Sequence, residues 1–146
     1  MKKLMILTTI LMALGISTAC ADNDKPIAVT QLPQKAQLFI KTHFPKEKVA
    51  LAKLERDFLE TRYEVVFTNG SKVEFLKDGE WKEVECKYST VPTAIIPAQI
   101  ASYVSQNYPD TQIVQIDRAK RDYEVKLTNR LELTFDLNFN LIDIDD

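Results

Sequence analysis

A histidine and a cysteine are the side chains of this 146-residue chain best suited to covalent catalysis. His43 is the single histidine, and Cys86 lies in the stretch WKEVECKY. A Cys–His dyad would require the end of a helix carrying His43 to meet the strand carrying Cys86. More often, a lone histidine at a helix end contacts solvent or the last carbonyl groups, and a lone cysteine in a strand is a small apolar residue. We therefore predict no catalytic residues and a protein that is not an enzyme.

The C-terminal stretch DLNFNLIDIDD contains oxygen ligands at a calcium-binding spacing. Asp136, Asn138 and Asn140 stand at positions 1, 3 and 5 of an EF-hand loop, but Leu141 replaces the glycine that position 6 requires. The stretch is better interpreted as a tight turn followed by a strand. One histidine and one cysteine are too few good ligands for zinc. The sequence therefore predicts neither a metal site nor a cofactor.

The elements that would position any site occur twice in the sequence. The stretch YEVVFTNGSKVEF (residues 63–75) returns 60 residues later as YEVKLTNRLELTF, and LPQKAQLFIKTHFP (residues 32–45) returns 64 residues later as IPAQIASYVSQNYP. The second copy is therefore four residues shorter somewhere between about Lys53 and Arg62. A match sustained in one order predicts a duplicated unit.

Each copy is expected to begin with an amphipathic helix that starts near one proline and ends before another. A hairpin follows, and a three-residue loop at Thr68-Asn69-Gly70 would pair Tyr63 with Phe75 and keep apolar side chains on one face. The same register pairs Tyr123 with Phe135. Arg130 replaces Gly70 in the second copy, at a strain of order 1 kcal/mol.

Further strand candidates precede each hairpin (49–55 and 112–119) and follow it (81–86 and 141–144). We therefore predict an α+β fold: a tandem repeat of one helix followed by about four antiparallel strands, with each helix packed on one sheet face. The predicted divisions are an N-terminal extension at 22–31, a first repeat at 32–87, a linker at 88–95 and a second repeat at 96–146.

The pattern resembles the beta-lactamase-inhibitor-like, PepSY-like family of small bacterial envelope proteins. The resemblance rests on YEVVFTNGSKVEFLKDGEWKEVE, on its echo YEVKLTNRLELTFDLNFNLIDID, and on helices that end in FP and YP. It covers residues 32–146. It implies a tandem α+β fold, an extracytoplasmic location and a protein-binding or inhibitory role, and the family has no catalytic motif to transfer to this chain.

Residues 1–21 have the order of a secretory signal peptide. Lys2 and Lys3 precede an apolar stretch, and Ala19 and Ala21 suit cleavage after Ala21. The alternative is a lipoprotein anchored through Cys20, although Ser17 stands where bacterial lipoproteins usually have leucine. Either way, we expect a periplasmic or otherwise extracytoplasmic protein.

The charge of the chain after residue 21 limits its partners. All 21 acidic residues remain, while 17 of the 19 basic residues do, so the formal net charge is 17 − 21 = −4. An acidic protein without basic clusters is a poor ligand for nucleic acid or an anionic membrane surface. No later segment is long and apolar enough to span a membrane. We expect a monomer without disulfides whose partner is another exported or envelope protein.

The functional prediction is an exported, non-enzymatic protein-binding module that inhibits or chaperones another envelope protein. The alternative is a small-ligand carrier with a pocket between helix and sheet. Glycine allows a hairpin tip to turn without strain, and exposed Trp and Tyr side chains often anchor protein partners. The candidate partner-binding residues are therefore Asn69, Gly70, Asp78, Trp81 and Tyr88.

Overall fold

The computed structural model describes residues 24–146, so the predicted signal peptide at 1–21 and the Cys20 anchor lie outside the described residues. Within these described residues, nine strands and two α-helices follow one another, with a short 3₁₀ turn before each helix. They are β1 (Lys25–Ile27), α1 (Gln34–His43), β2 (Val49–Arg56), β3 (Thr61–Phe67), β4 (Lys72–Leu76), β5 (Trp81–Glu85), α2 (Ala98–Asn107), β6 (Ile113–Arg118), β7 (Asp122–Leu127), β8 (Glu132–Asp136) and β9 (Leu141–Asp145).

The predicted α+β fold class, a tandem repeat of one helix followed by about four antiparallel strands with each helix packed on one sheet face, is wrong. The strands form one nine-stranded antiparallel sheet in the order β1 to β9, so residues 24–146 are mostly β with two α-helices. β5 pairs with β6, which places Val84 opposite Ile116, and β1 adds a ninth strand from the N-terminal extension. Pairing β5 with β6 satisfies backbone groups that would otherwise line two open sheet edges.

The predicted hairpin registers are confirmed. Tyr63 pairs with Phe75 across β3 and β4, and Tyr123 pairs with Phe135 across β7 and β8. The turn residues Gly70 and Arg130 both have positive φ, 85° and 74°. The alternation of apolar and polar residues determines the register locally, because a slip of one residue would expose every apolar side chain.

A row of fully buried side chains crosses the middle of the sheet and joins the two halves into one core. Each member lies directly opposite the next on the neighbouring strand, and none is accessible to solvent: Val65, Val73, Val84, Ile116, Val125 and Leu133. Both helices cover this face. Phe39 of α1 packs edge-on against Phe75 at 5.5 Å between ring centroids, and Tyr103 of α2 packs the same way against Phe135 at 5.4 Å.

The opposite face of the sheet carries no helix among the described residues, and it is charged. Five carboxylates lie opposite one another on consecutive strands: Glu64, Glu74, Glu83, Asp117 and Glu124. Basic side chains pair with several of them. Arg62 contacts Glu74 at 2.8 Å and Lys82 contacts Asp117 at 3.1 Å. This face is therefore hydrated and electrostatically mixed, with its acidic groups at the centre.

Candidate functional site

Four strand connections lie at one end of the sheet, because every second turn of an antiparallel meander is at the same end. We call this the turn end. It consists of residues 57–60, 77–80, 119–121 and 137–140, which join β2–β3, β4–β5, β6–β7 and β8–β9. The hairpin turns around Gly70 and Arg130 lie at the other end.

Phe58 and Leu59 form an apolar tip at the turn end. Their exposed fractions are 99% and 84%, so almost the whole of both side chains is in solvent. The carboxylate of Asp57 holds the turn that presents them, since its Oδ1 accepts hydrogen bonds from the backbone N–H groups of Leu59 at 2.8 Å and Glu60 at 2.7 Å. These bonds lower the pKa of Asp57, so the carboxylate stays ionised and the turn stays braced to a lower pH than an ordinary aspartate would allow.

The apolar tip lies in the segment where the two halves differ in length. The first hairpin takes 18 residue steps from Val49 to its partner Phe67, whereas the second takes 14 from Ile113 to Leu127. The four-residue difference therefore falls at the β2–β3 connection. It makes this connection longer than the corresponding turn at 119–121 in the second half and places two apolar residues in it.

Trp81 lies beside the turn end and links the two halves. Its ring packs near Phe39 of α1, at 6.4 Å between centroids, and the guanidinium carbon of Arg118 lies 4.3 Å from the centroid of the indole. Arg118 Nη2 also donates to the backbone oxygen of Trp81 at 2.8 Å and contacts Glu80 at 3.3 Å. The indole is therefore partly covered by a cation that a hydrogen bond holds in place.

Glu80 is an ion-pair centre at the same end. Its carboxylate contacts Lys35 at 3.0 Å as well as Arg118. The hydrogen bond from Lys35 is the main cause, and that from Arg118 the second cause, of a lowered pKa for Glu80. The start of α1, the β4–β5 turn and the end of β6 are thus tied together at one point.

A cleft of about 840 Å³ opens next to these residues. Leu76, Tyr123 and Leu137 contribute apolar surface to it, and Lys120 and Arg121 of the β6–β7 turn lie on its lining. Glu60, directly after the apolar tip, also lines it. The turn end therefore combines a projecting apolar tip with an apolar cleft.

The five residues predicted to bind a partner lie at two places. Asp78 belongs to the turn end and Trp81 lies beside it, and Asp78 Oδ1 accepts a hydrogen bond from the Glu80 backbone N–H at 2.9 Å. Asn69, Gly70 and Tyr88 lie at the other end of β4, about 17 Å away for a five-residue strand. The structure therefore does not bring the five together.

The three residues at the far end have their own local roles. Asn69 Oδ1 accepts a hydrogen bond from the Ser71 backbone N–H at 2.9 Å and braces the turn through Gly70. Tyr88 is 79% exposed, with the Lys87 ammonium 5.6 Å from its ring centroid. Sequence reasoning missed Leu59, Arg118 and Arg121. The one available signal was the four-residue length difference, which marks where the apolar tip is inserted.

The residues weighed for catalysis have separate surroundings. His43 packs against Phe39, at 4.6 Å between ring centroids, and partial burial lowers its pKa. Cys86 is a buried free thiol whose pKa is raised, mainly by burial, which disfavours the reactive thiolate. Ser89 and Ser71 act on this pKa in the opposite direction and offset part of the rise. The thiol is thus buried in its ordinary protonated form.

Asp136 has the role of a turn brace. Its Oδ1 accepts hydrogen bonds from the backbone N–H groups of Asn138 and Asn140, both at 2.9 Å, and these bonds lower its pKa. Across residues 24–146, no group of three or more His, Cys, Asp or Glu side chains is placed to hold a metal ion.

Two of the five carboxylates that lie opposite one another on the helix-free face, which we call the acidic row, have a raised pKa. Burial raises the pKa of Glu83, with further contributions from Asp117 and Glu74. Burial likewise raises the pKa of Glu124, with contributions from Glu132 and Asp117. Gln115 partly compensates by donating to Glu83 Oε1 at 2.7 Å. The centre of this face is therefore where added negative charge is least favourable.

The chain belongs to the beta-lactamase-inhibitor-like, PepSY-like family, whose model matches residues 18–60 and 61–143. The resemblance inferred from the hairpins and helix ends is thereby confirmed. No curated protein matches the chain. In residues 24–146, neither helix has the length and hydrophobicity needed to cross a membrane.

Three solved structures have the same fold. One, from Bacteroides thetaiotaomicron, is described as a "putative calcium-regulated periplasmic protein"; it is 66% identical, with a TM-score of 0.85, and the match covers 86% of this chain and 99% of that one. A periplasmic protein of the DUF2874 family from Bacteroides vulgatus is 60% identical, with a TM-score of 0.84 and the same coverage. A third, a periplasmic protein of unknown function from Bacteroides vulgatus, is 37% identical, with a TM-score of 0.81 over 84% of this chain and 99% of that one.

These relatives confirm the extracytoplasmic location expected from the sequence. Neither the family nor the relatives are described as enzymes.

Proposed function

We propose that this protein is an exported, non-enzymatic binding module that inserts its apolar tip into a pocket of another exported protein and thereby inhibits or chaperones it. The observation that carries the proposal is the exposure of Phe58 and Leu59, 99% and 84%, on a turn braced by the Asp57 carboxylate. Two adjacent apolar side chains in water are unfavourable for the isolated protein, and a partner that covers them removes that cost.

The braced turn favours binding for an entropic reason. Ordering a flexible loop in a complex opposes association, and a turn already held by two side-chain hydrogen bonds loses less freedom on binding. Phenylalanine contributes a large apolar surface with few rotatable bonds. Phe58 and Leu59 therefore have the properties expected of two residues that anchor a protein to its partner, and not those of a flexible connecting segment.

The charge beside the tip indicates the chemistry of the partner. The Asp57 carboxylate is ionised at neutral pH, and its backbone hydrogen bonds lower its pKa further. A receptor pocket that is apolar inside and basic at its rim complements this arrangement and raises the rate of encounter. Asp78 and Trp81, also at the turn end, are candidates for the edge of the same interface.

The pocket between helix and sheet required by a small-ligand carrier receives no support from the packing. Ala36 and Ile100 on the two helices are fully buried, and Phe39 and Tyr103 are in edge-on contact with the sheet. The family description as inhibitor-like and the periplasmic relatives agree with a binding role.

The test is affinity capture from the envelope extract of the source organism with the tagged mature protein. The double variant Phe58→Ser/Leu59→Ser should recover the partner at least about tenfold less well, as expected for loss of a central anchor. The control is Leu38→Ser, which removes a 65%-exposed leucine from α1. It should capture as the unmodified protein does.

Circular dichroism and a melting curve accompany each variant. Equal capture by the double variant and the unmodified protein, with both folded, would show that the tip is not the interface. If partner capture were instead lost in a Tyr88→Ser variant, the interface would lie at the end of β4 that is away from the turn end. Because one relative is described as calcium-regulated, capture is repeated with calcium and with chelator, and we expect equal recovery.

A further inference from the structure

We infer that the cleft at the turn end binds a small amphiphile with an apolar body and an anionic head group, such as a medium-chain carboxylate. This site is distinct from the apolar tip and does not depend on the proposed function. The cleft measures about 840 Å³, within the range of about 300–1,000 Å³ that is typical of small-molecule sites.

The walls of the cleft suit an apolar body. Leu76 from the end of β4, Tyr123 from β7 and Leu137 from the β8–β9 turn contribute side chains to one continuous lining. Leu137 is one of the large apolar residues that the fold leaves exposed. A ligand chain lying in the cleft would remove this apolar surface from water.

The charges of the cleft favour an anion because its carboxylates are mostly neutralised by other residues. Glu60 is paired with Arg62, and Glu80 is paired with Lys35 and Arg118. Lys82, another lining residue, contacts Asp117. These side chains therefore contribute little unbalanced charge to a ligand.

Two cations remain on the β6–β7 turn. Lys120 and Arg121 are exposed and form no ion pair within residues 24–146, and they outnumber the one remaining acidic residue of the lining, Asp122. Asp122 itself lies opposite Asp136 across β7 and β8. An anionic head group at this turn would gain charge-assisted hydrogen bonds, and an ammonium head group would meet like charges.

The fold provides a direct reporter for the cleft. Trp81 is the only tryptophan in the sequence, and the Arg118 guanidinium, which belongs to the cleft lining, lies 4.3 Å from its ring centroid. A ligand that contacts Arg118 therefore changes the surroundings of the indole. Its fluorescence should shift in a saturable way when the site fills.

The test titrates the full mature protein with decanoate and, separately, with decylammonium, below the concentrations at which either forms micelles. Tryptophan fluorescence and calorimetry report binding. We expect decanoate to saturate one site and decylammonium to bind about tenfold more weakly. Leu137→Asp should abolish decanoate binding, and Lys120→Glu/Arg121→Glu should weaken it about tenfold. The matched control Lys41→Glu/Lys48→Glu makes the same charge change on exposed residues elsewhere and should bind normally.

These three variants, and Phe58→Ser, change exposed residues, and circular dichroism verifies that each is folded. The inference is overturned if decanoate shows no saturable binding, if decylammonium binds equally well, or if both cleft variants bind decanoate as the unmodified protein does. It is also overturned if sedimentation shows self-association that is lost in both Leu137→Asp and Phe58→Ser, because the tip of a second copy would then occupy the cleft.

Discussion

The hairpin of β2 and β3 and the hairpin of β6 and β7 share a register and differ at their tips. Ala52 lies opposite Val65 in the first, and Ile116 lies opposite Val125 in the second, with all four side chains buried. The first hairpin ends in the exposed apolar tip, whereas the second ends in a short turn with Lys120 and Arg121. The strands are thus constrained by the common core, while the turns are free to acquire different surfaces.

The tight turns of the two halves have the same backbone conformation, with positive φ, at positions occupied by different residues. Gly70 and Gly79 have φ of 85° and 90° in the first half, and Arg130 and Phe139, 60 residues later, have φ of 74° and 65°. Non-glycine residues in this region are strained. Phe139 packs against Tyr123, at 5.6 Å between ring centroids, which offsets part of that cost.

Because the two hairpins share one core, we expect both halves to unfold as one cooperative unit. The largest loss of stability should come from a substitution in the row of buried side chains that crosses the sheet. Ile116→Ala removes a fully buried side chain opposite Val84 at the β5–β6 junction. We expect a loss of about 2–5 kcal/mol in the free energy of unfolding and a single denaturation transition for both halves. Ile142→Ala, on the exposed part of β9, is the control and should change stability by less than about 0.5 kcal/mol. Two separate transitions would show that the halves fold independently.

Alanine at Gly79 should have the next largest effect. An added Cβ would lie 2.8 Å from Pro33 Cβ and 3.0 Å from Lys35 Cβ, in addition to the positive φ. We expect Gly79→Ala to destabilise the protein by about 1–3 kcal/mol. Gly70→Ala is the matched case, because its Cβ would approach only the flexible Lys87 side chain at 3.2 Å. If the two variants had equal midpoints in urea denaturation, the close approach of position 79 to Pro33 and Lys35 would not contribute to the loss of stability.

Removing strain from the second half should have a smaller effect of opposite sign. Arg130 has a φ of 74° at the position where the first half has Gly70. We expect Arg130→Gly to stabilise the protein by about 1 kcal/mol, since glycine adopts this conformation without a steric penalty. The measurement is the urea midpoint. A lower midpoint would mean that the arginine side chain contributes more than the strain removes.

The smallest effect should come from the acidic row and depend on pH. Glu83 has a raised pKa in the folded protein, so ionising its carboxyl group disfavours folding. This penalty is absent at pH values below the ordinary glutamate pKa, and it grows as the pH rises from there through the pKa of the folded state. Glu83→Gln should therefore stabilise the protein at pH 7 by less than about 1 kcal/mol and have no effect near pH 3. Asp143→Asn, at the equivalent position on edge strand β9, is the control. A gain that is equal at both pH values would rule out charge repulsion as its cause.

Much of the local structure could be predicted from the sequence because its causes are local. Alternating apolar residues determine that Tyr63 lies opposite Phe75, and prolines bound both helices. The site was predicted less well. Of the five candidate residues, Asp78 and Trp81 lie at the turn end, while the other three lie at the far end of β4. A length difference was visible in the sequence, but nothing showed that the extra residues project an exposed pair beyond the sheet.

The sequence by itself determined the hairpin registers, the two helices and the family, because periodicity and turn chemistry are properties of short segments. Only the tertiary structure decided that β5 pairs with β6, that both helices share one face of a single sheet, and that Arg118 covers Trp81. The physical reason is that pairing between strand edges uses backbone groups present in every residue, so no side-chain pattern specifies which edges meet. The cleft depends on that pairing, because its lining comes from turns of both halves that the pairing makes neighbours.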